Sequence, residues 1–363
     1  MHIRLKKQKI QEALAKIQNI VEKKSIMPVL NHFLMDVSDS AHILATDLET
    51  AVKLPIEVEV FEPGKTCIPA RKFYEIVKEL DEDIEIMLSE QWLKIQSGRS
   101  NFRLATLDAS EFPVWPQIGD VTQINLSRDL LLTAIDKTIY ASGEADARYV
   151  LNTLLFEIKN SELHVVGTDG HRLAHFITTA PSGLTEQKVI LSKKSLNELK
   201  KFLSLAENVS MLIGKTHVMI EMDGVSFLSR MIEGEYPNYE LYIPRDNDKQ
   251  AIVDKGLFIN SLKRVSVLSR DRQNAVKTEW SEDLVVVSSY DPEVGEAQDE
   301  LSIDYQGEPI VIGFNAKYLV DALERLTSDK AKITMSEPDK AVYITDVNET
   351  SFVYEAVVMP LRL

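Results

Sequence analysis

A single cysteine, Cys67, stands in 363 residues, so the chain forms no disulfide within itself. That scarcity suits a reducing compartment, and a cytoplasmic location is expected; Cys67 itself reads as a small core residue of a strand. No run approaches the roughly 18 apolar residues of a membrane span, so no membrane partner is expected. The opening "MHIRLKKQKIQEALAKI" is amphipathic and lacks the apolar centre of a secretory signal. A P-loop, a GxGxxG turn, a CxxC pair and a nucleophile elbow are all missing, which argues against the chemistry each carries. Cations are in deficit too: 41 Lys and Arg face 56 Asp and Glu, a net charge of −15. That sign is opposite to the usual footprint of a nucleic-acid binder. Hydrophobic content of 44% is ordinary for a globular protein with real cores.

What the chain does have is a threefold internal repeat. Asn31, Asn152 and Asn274 each open a strand, a polar turn, a second strand and an aspartate. Those aspartates, Asp47, Asp169 and Asp291, are spaced 122 and 122. Lys72, Lys194 and Lys317 follow at 122 and 123, and Pro113, Pro237 and Pro360 at 124 and 123. A fixed period of this length marks a repeated structural unit. Pro-, Gly- and Asn-rich joints, "EFPVWPQIGD" and "GEYPNYELYIPRDNDK", put the domains at 1–120, 121–248 and 249–363. Apolar steps of three and four residues predict helices over 6–24, 71–80, 128–140, 193–203, 255–265 and 317–326, with Ser192 and Asn315 as caps of the fourth and sixth. Period-two alternation supplies the strands. Each domain is therefore expected to be α+β, two helices packed on antiparallel sheet.

The helices reverse the sign of the chain. Together their windows hold twenty basic and nine acidic residues, a net +11 that leaves −26 for the rest of a chain at −15. If the helices share a face, that face attracts phosphates while the remainder repels them.

Two short segments stand out. In "VVGTDGHRLAHF", Asp169 and His171 have the composition of an acid–base pair, and His171 with His175 the spacing of helical metal ligands. The alternation there is that of a strand, where residues four apart lie roughly 13 Å from each other, too far for one ion. Asp47 and Asp291 keep the aspartate without the Gly-His-Arg, so the aspartate is read as structural and no catalytic or metal site is expected. The end, "VYEAVVMPLRL", is apolar almost to its last residue, where chains normally fray. It reads as a final core strand running into one wall of a groove.

Taken in order, "IMPVLNHFLMDV", "ATDLE", "IPARKFYEI", "SGRSNFRLATL", "RYVLN", "TDGHRLA", "GEYPNYELYIP", "GFNAKYL" and "VVMPLRL" resemble the bacterial DNA polymerase III β subunit family, the sliding clamps, over essentially the whole chain. The resemblance implies three clamp domains in a head-to-tail homodimeric ring, without catalytic activity or cofactor. It implies duplex DNA in the hole, and the replicative polymerase, clamp loader subunits and other repair and replication proteins docking by short peptides. The implied peptide groove is Leu151, Thr168, Gly170, His171, Arg172, Leu173, Pro237, Asn315, Tyr318, Val342, Val357, Val358, Met359, Pro360 and Arg362. The implied DNA contacts are Lys24, Arg71, Tyr149, Lys193 and Lys194. The implied dimer contact sets Phe102 and Leu104 against Val267 and Leu268 of the other copy. The chain departs from the family at Val150, at Glu240 and Leu241 where bases are common, at Tyr242, which would narrow the groove by Pro237, and at Leu361. A repeat-built scaffold that encircles nothing, and a hydrolase centred on Asp169 and His171, are the competing readings.

Overall fold

The computed structural model describes residues 1–21, 26–181, 186–204, 206–269, 274–348 and 351–362. Among these are six α-helices: α1 (Lys7–Ile17), α2 (Ala70–Glu79), α3 (Arg128–Thr138), α4 (Lys193–Leu203), α5 (Lys255–Val265) and α6 (Ala316–Leu323). Each buries one stripe at helical spacing, as with Ile10, Leu14 and Ile17 of α1 or Phe258, Leu262 and Val265 of α5. Asp254 caps α5 by accepting from the Leu257 amide at 2.8 Å, and Asn315 caps α6 from the Lys317 amide at 2.9 Å. The first helix ends earlier than its periodicity suggests. Past Ile17 the chain leaves the helix, yet Ile20 and Val21 are still buried.

The described residues fall into two compact units, Met1–Leu132 with Lys194–Met231, and Thr133–Lys193 with Ile232–Leu363. The first holds a five-stranded sheet in the order Val58–Glu62, His2–Leu5, Ile84–Ser89, Trp92–Ser97, Ser100–Ala105. Its eight-stranded sheet runs Thr122–Ser127, Asn208–Ile213, His217–Met222, Val225–Arg230, Thr50–Pro55, His42–Thr46, His32–Asp36, Lys65–Pro69. The second unit holds a nine-stranded sheet, Gln187–Ser192, Thr153–Lys159, Glu162–Thr168, Arg172–Thr179, Val353–Val358, Val342–Asp346, Lys330–Met335, Lys249–Asp254, Asp304–Gln306. It also holds a four-stranded one, Gly295–Ser302, Leu284–Asp291, Ala275–Ser281, Ile310–Asn315. Every pairing is antiparallel.

Two of these sheets run across repeat boundaries. Val225–Arg230, which closes the second repeat, pairs with Thr50–Pro55 of the first; Val353–Val358, which closes the third, pairs with Arg172–Thr179 of the second. Backbone edges left open at a repeat boundary would carry unpaired donors and acceptors, and continuing the ladder satisfies them. Cores form under the sheets from aromatic pairs. Phe33 meets Phe73 at 5.8 Å and Phe202 meets Phe227 at 5.9 Å in the first unit, and Phe258 meets Trp280 edge-on at 5.7 Å in the second. Each such ring, fully buried, contributes about 1.5–3 kcal/mol.

Candidate functional site

The three aspartates of the repeat do one job. Asp47 Oδ1 accepts from the amides of Glu49 (3.0 Å) and Thr50 (2.6 Å). Asp169 Oδ1 accepts from His171 (2.9 Å) and Arg172 (3.0 Å), and Asp291 Oδ1 from Glu293 (2.8 Å) and Val294 (3.1 Å). Each carboxylate closes the turn between two strands. Asp169 Oδ2 is also engaged, by Arg172 Nε at 3.0 Å, so the carboxylate has no free oxygen for acid–base work. His171 lies exposed on the turn. His175 is buried, with Nδ1 at 3.1 Å from Glu355 and Nε2 at 3.0 Å from His164. The described residues hold no cluster of three metal-ligating side chains.

Beside the Asp169 turn lies a cavity of about 200 Å³, lined by Arg148, Leu151, Thr168, Gly170, Arg172, Leu173, Pro237, Tyr239, Tyr242, Val357 and Met359. Gly170 has φ +85°, and a Cβ there would meet the Arg148 guanidinium at 3.3 Å, so the turn requires glycine. Thr168 Oγ1 accepts from the Gly170 amide and donates to the Arg172 carbonyl. The far wall is the chain's end: Val357 lies opposite Leu173 in the sheet, and the Met359 amide donates to the His171 carbonyl at 2.9 Å. The Leu361 amide then donates to Gly313, which ties the terminus down. The floor is one apolar cluster of Leu155, Val166, Leu173, Ile190, Tyr239, Ile243 and Val357. A larger hollow of about 710 Å³ in the other unit is walled by Asn125, Ser127, Asn208, Ser210, Glu221 and Asp223 among others. It is more open and mixes polar with apolar walls, whereas the smaller groove combines largely apolar walls with fixed cations, the makings of a ligand site.

Arg172 organises the rim. Its Nη1 donates to Asp321 Oδ2 at 2.6 Å and its Nε to Asp169, while its plane stacks 4.4 Å from the Tyr318 ring and 5.3 Å from Tyr140. Burial disfavours this cation, but the hydrogen bond and charge of Asp321 and the charge of Asp169 outweigh it and raise its pKa. Beneath the floor runs a second polar network. Tyr239 donates to Glu157 at 2.8 Å, and its ring meets that of His175 at 5.0 Å. Glu355 receives Arg245 at 3.0 Å and Tyr343 at 2.8 Å. Burial pushes the Glu355 carboxyl up, yet the hydrogen bonds from His175 and Arg245 prevail and hold it at about 2. His164 is pushed down to about 4 by burial and by the neighbouring His175 and Lys159.

Of the residues expected in the groove, Leu151, Thr168, Gly170, Arg172, Leu173, Pro237, Val357 and Met359 line the cavity. Val342 and Val358 sit in the core beneath it, at 1% and 0% exposure, because their strand positions face inward. Asn315 is spent as a helix cap and Tyr318 as the stacking partner of Arg172. Pro360 and Arg362 continue the terminal segment past Met359. Arg148 and Tyr239 line the groove without having been expected there. Both lie within recognised words, "RYVLN" and "GEYPNYELYIP", and membership of a motif was the only available signal.

Of the residues expected to meet DNA, Arg71, Tyr149 and Lys194 are exposed and Lys193 is half-buried. Arg71 projects from α2, 3.9 Å from Glu75, and Tyr149 is 68% exposed. Lys194 Nζ lies 2.5 Å from Asp47, and Lys193 Nζ bonds the Ser142 carbonyl and Glu144. Lys24 falls outside the described residues. The described helices carry sixteen basic residues against seven acidic ones. Glu240 is held by Lys159. Phe102 is 39% exposed and Val267 78%, with Leu104 and Leu268 half-buried.

The chain matches three family descriptions in order: DNA polymerase III beta subunit, N-terminal domain over 1–116, central domain over 125–238 and C-terminal domain over 241–362. The beta sliding clamps of Pseudomonas putida and Escherichia coli K12 are 31% and 30% identical to it, over the full length of both chains. Among solved structures, the beta sliding clamp of C. crescentus superposes with a TM-score of 0.95 at 31% identity, covering 100% of both chains. The DNA polymerase sliding clamp of Bacillus subtilis does so at 0.94 and 29%, covering 100% of this chain and 99% of that one.

Proposed function

We propose a working arrangement for this chain from the premise that it belongs to the DNA polymerase III beta subunit family. Its function is that of a DNA sliding clamp in replication. Two copies join head to tail into a ring, with the helices facing duplex DNA and the sheets outside. The observation that carries this is the charge of the helices, basic by sixteen to seven in a chain whose net charge is −15. A ring holds DNA by topology, so contacts to phosphates need only be weak and indifferent to sequence, and tighter contacts would stop it sliding. Lys193 and Lys194 suit such weak contacts, because each already has a carboxylate partner, Glu144 and Asp47, and exchanges it for a phosphate at little net gain. Arg71 and Tyr149, both exposed, are proposed for the same role.

The groove beside Gly170 takes a short extended peptide with apolar anchors from the polymerase, the clamp loader or another DNA-handling partner. Its apolar floor and fixed Arg172 support this, in the manner of other peptide grooves. Tethering on a ring keeps a briefly bound polymerase at high local concentration, which is the physical content of processivity. Nothing in this role requires a reacting group, and the chain acts without catalysis of its own.

The test is retention on DNA. After loading by a clamp loader and a wash in high salt, the protein should stay on circular plasmid and run off linearised plasmid, because salt strips phosphate contacts but not a link. Equal loss from both forms, with loading verified on a known clamp, would sink the ring.

A further inference from the structure

We infer that the first repeat carries a second docking groove, beside the Asp47 turn, which takes a short extended peptide of one apolar anchor followed by a basic residue. This rests on the reading of the Gly170 groove as a peptide site.

The same construction stands 122 residues earlier in the chain, wholly within the first unit. In the floor of the Gly170 groove, Leu155 opposes Val166 and Ile190; in the first repeat Leu34 opposes Leu44 and Cys67. Leu173 faces Val357 across one repeat boundary, and Ala51 faces Leu228 across the other. Thr46 Oγ1 accepts from the Leu48 amide at 2.9 Å and donates to the Thr50 carbonyl at 3.0 Å, as Thr168 does around Gly170. The closing strands are fastened alike: the Arg230 amide donates to the Glu49 carbonyl at 2.8 Å, and the Met359 amide to His171 at 2.9 Å. Pro113 and Trp115 supply the outer wall as Pro237 and Tyr239 do, 124 residues on. An apolar cluster of Leu44, Cys67 and Phe112, with Leu34 and Trp115 packed against it, closes the bottom. A floor and walls that recur position for position keep the form of a groove for extended chain.

Three differences set the occupant. The cavity is about 60 Å³ against about 200 Å³, room on the scale of a single apolar side chain. The cations are gone. Thr50 stands where Arg172 does and Glu49 where His171 does, and Glu49 is the one charged residue of the lining. It is exposed, and among the described residues its carboxylate has no partner, so the groove selects a basic neighbour for the anchor. Leu48, finally, replaces Gly170. Its φ is +73°, a region that leucine enters at a cost, and its side chain is 52% exposed. Glycine serves the sister turn, so the turn itself does not call for a leucine. Val114, on the same lining, is 90% exposed. An anchor seated between these two bare side chains takes both out of water.

One anchor and one charge bind weakly, with a Kd on the order of a millimolar. That suffices for the flank of a partner already tethered to the protein, because tethering brings its local concentration into that range.

The experiment reads the emission of Trp115, since Trp92 and Trp280 lie outside this cavity. Acetyl-Gly-Leu-Lys-Gly amide, titrated into the full-length protein, should change that emission to saturation. Its twin with aspartate for lysine should need about tenfold more. Glu49→Lys should invert the order of the two. Leu48→Gly suits the positive φ and leaves the turn intact, and it should weaken the lysine peptide about fivefold. Equal affinity for the two peptides, or a lysine peptide indifferent to both variants, overturns the proposal. So does a response that persists in Trp115→Phe, because the peptide then sits elsewhere. In the same preparation, the anisotropy of a labelled peptide with several apolar anchors reports the larger groove. Binding of that peptide with no Trp115 response to the lysine peptide sinks the second groove alone; binding of neither sinks the peptide reading of both.

Discussion

Arg172→Ala should abolish peptide docking, weakening it at least 100-fold, and cost about 3–5 kcal/mol of folding stability. The side chain is 10% exposed and bridges Asp169 and Asp321, themselves 13% and 18% exposed. Removing one member of a mostly buried ionic group leaves its partners uncompensated, which is the origin of that large figure. Lys317 remains near Asp321 and limits the damage on that side, but Asp169 loses the cation that holds its second carboxylate oxygen. The turn carrying Gly170 and His171 then loosens, and with it the bond from His171 to Met359 that joins the two walls. Arg172→Lys should recover part of the stability and little of the docking, because an ammonium neither reaches two carboxylates at fixed angles nor stacks on Tyr318 as a guanidinium does. Urea unfolding and the anisotropy of a labelled apolar-anchored peptide separate the two effects. Docking that survives in the Ala variant would make Arg172 a structural residue only.

Acidification should weaken the second unit through His164 well before it reaches the carboxylates. His164 is 5% exposed, and its pKa falls from the ordinary 6.5 to about 4 on folding. Between those values the unfolded chain binds the proton and the folded one does not, so stability rises with pH across that window and falls as pH drops through it. Fully expressed, the shift corresponds to about 3 kcal/mol. Glu355 acts lower: its pKa is depressed to about 2, so its contribution is present above the ordinary 4.5 and is lost as pH falls toward 2. His164→Gln keeps a polar group beside His175 while removing the titration. The variant's unfolding free energy should accordingly change less than the wild type's between pH 7 and pH 4, by up to about 3 kcal/mol. Parallel curves for the two proteins would refute the assignment.

Much of this molecule is legible because it is written three times. The 122-residue spacing of Asp47, Asp169 and Asp291 announces a turn whose hydrogen bonds recur atom for atom, and helix stripes are visible because burial selects every third or fourth residue. The groove is half-legible for a related reason. Gly-His-Arg after Asp169 and the apolar terminus are exceptions to the repeat, and exceptions at matched positions stand out. Inward and outward residues on closing strands are harder to tell: Val357 and Val358 are alike in sequence, and only the register with Leu173 and Arg172 decides which one lines the groove. The network of Glu157, His164, His175, Arg245 and Glu355 left no trace. Its members come from five separate segments: Glu157, His164, His175 and Glu355 each resemble the polar half of an ordinary alternating strand, and Arg245 lies in the joint before Lys249. The continuation of sheets across repeat boundaries is equally silent, since the backbone edges that demand it are the same for every sequence.

The solitary cysteine makes the protein its own stopwatch. Cys67 is wholly enclosed, its amide bonded to Leu107 and its thiol pushed up to about 12 by burial and by Glu111 and Asp108. Near neutral pH a thiol-reactive dye finds almost no thiolate in the closed state, and what it labels is the fraction of time that the segment spends open. No second thiol competes for the dye. The labelling rate of unmodified protein, free, docked to a peptide or threaded on a circle, thus times the breathing of the first repeat directly, without a probe being added.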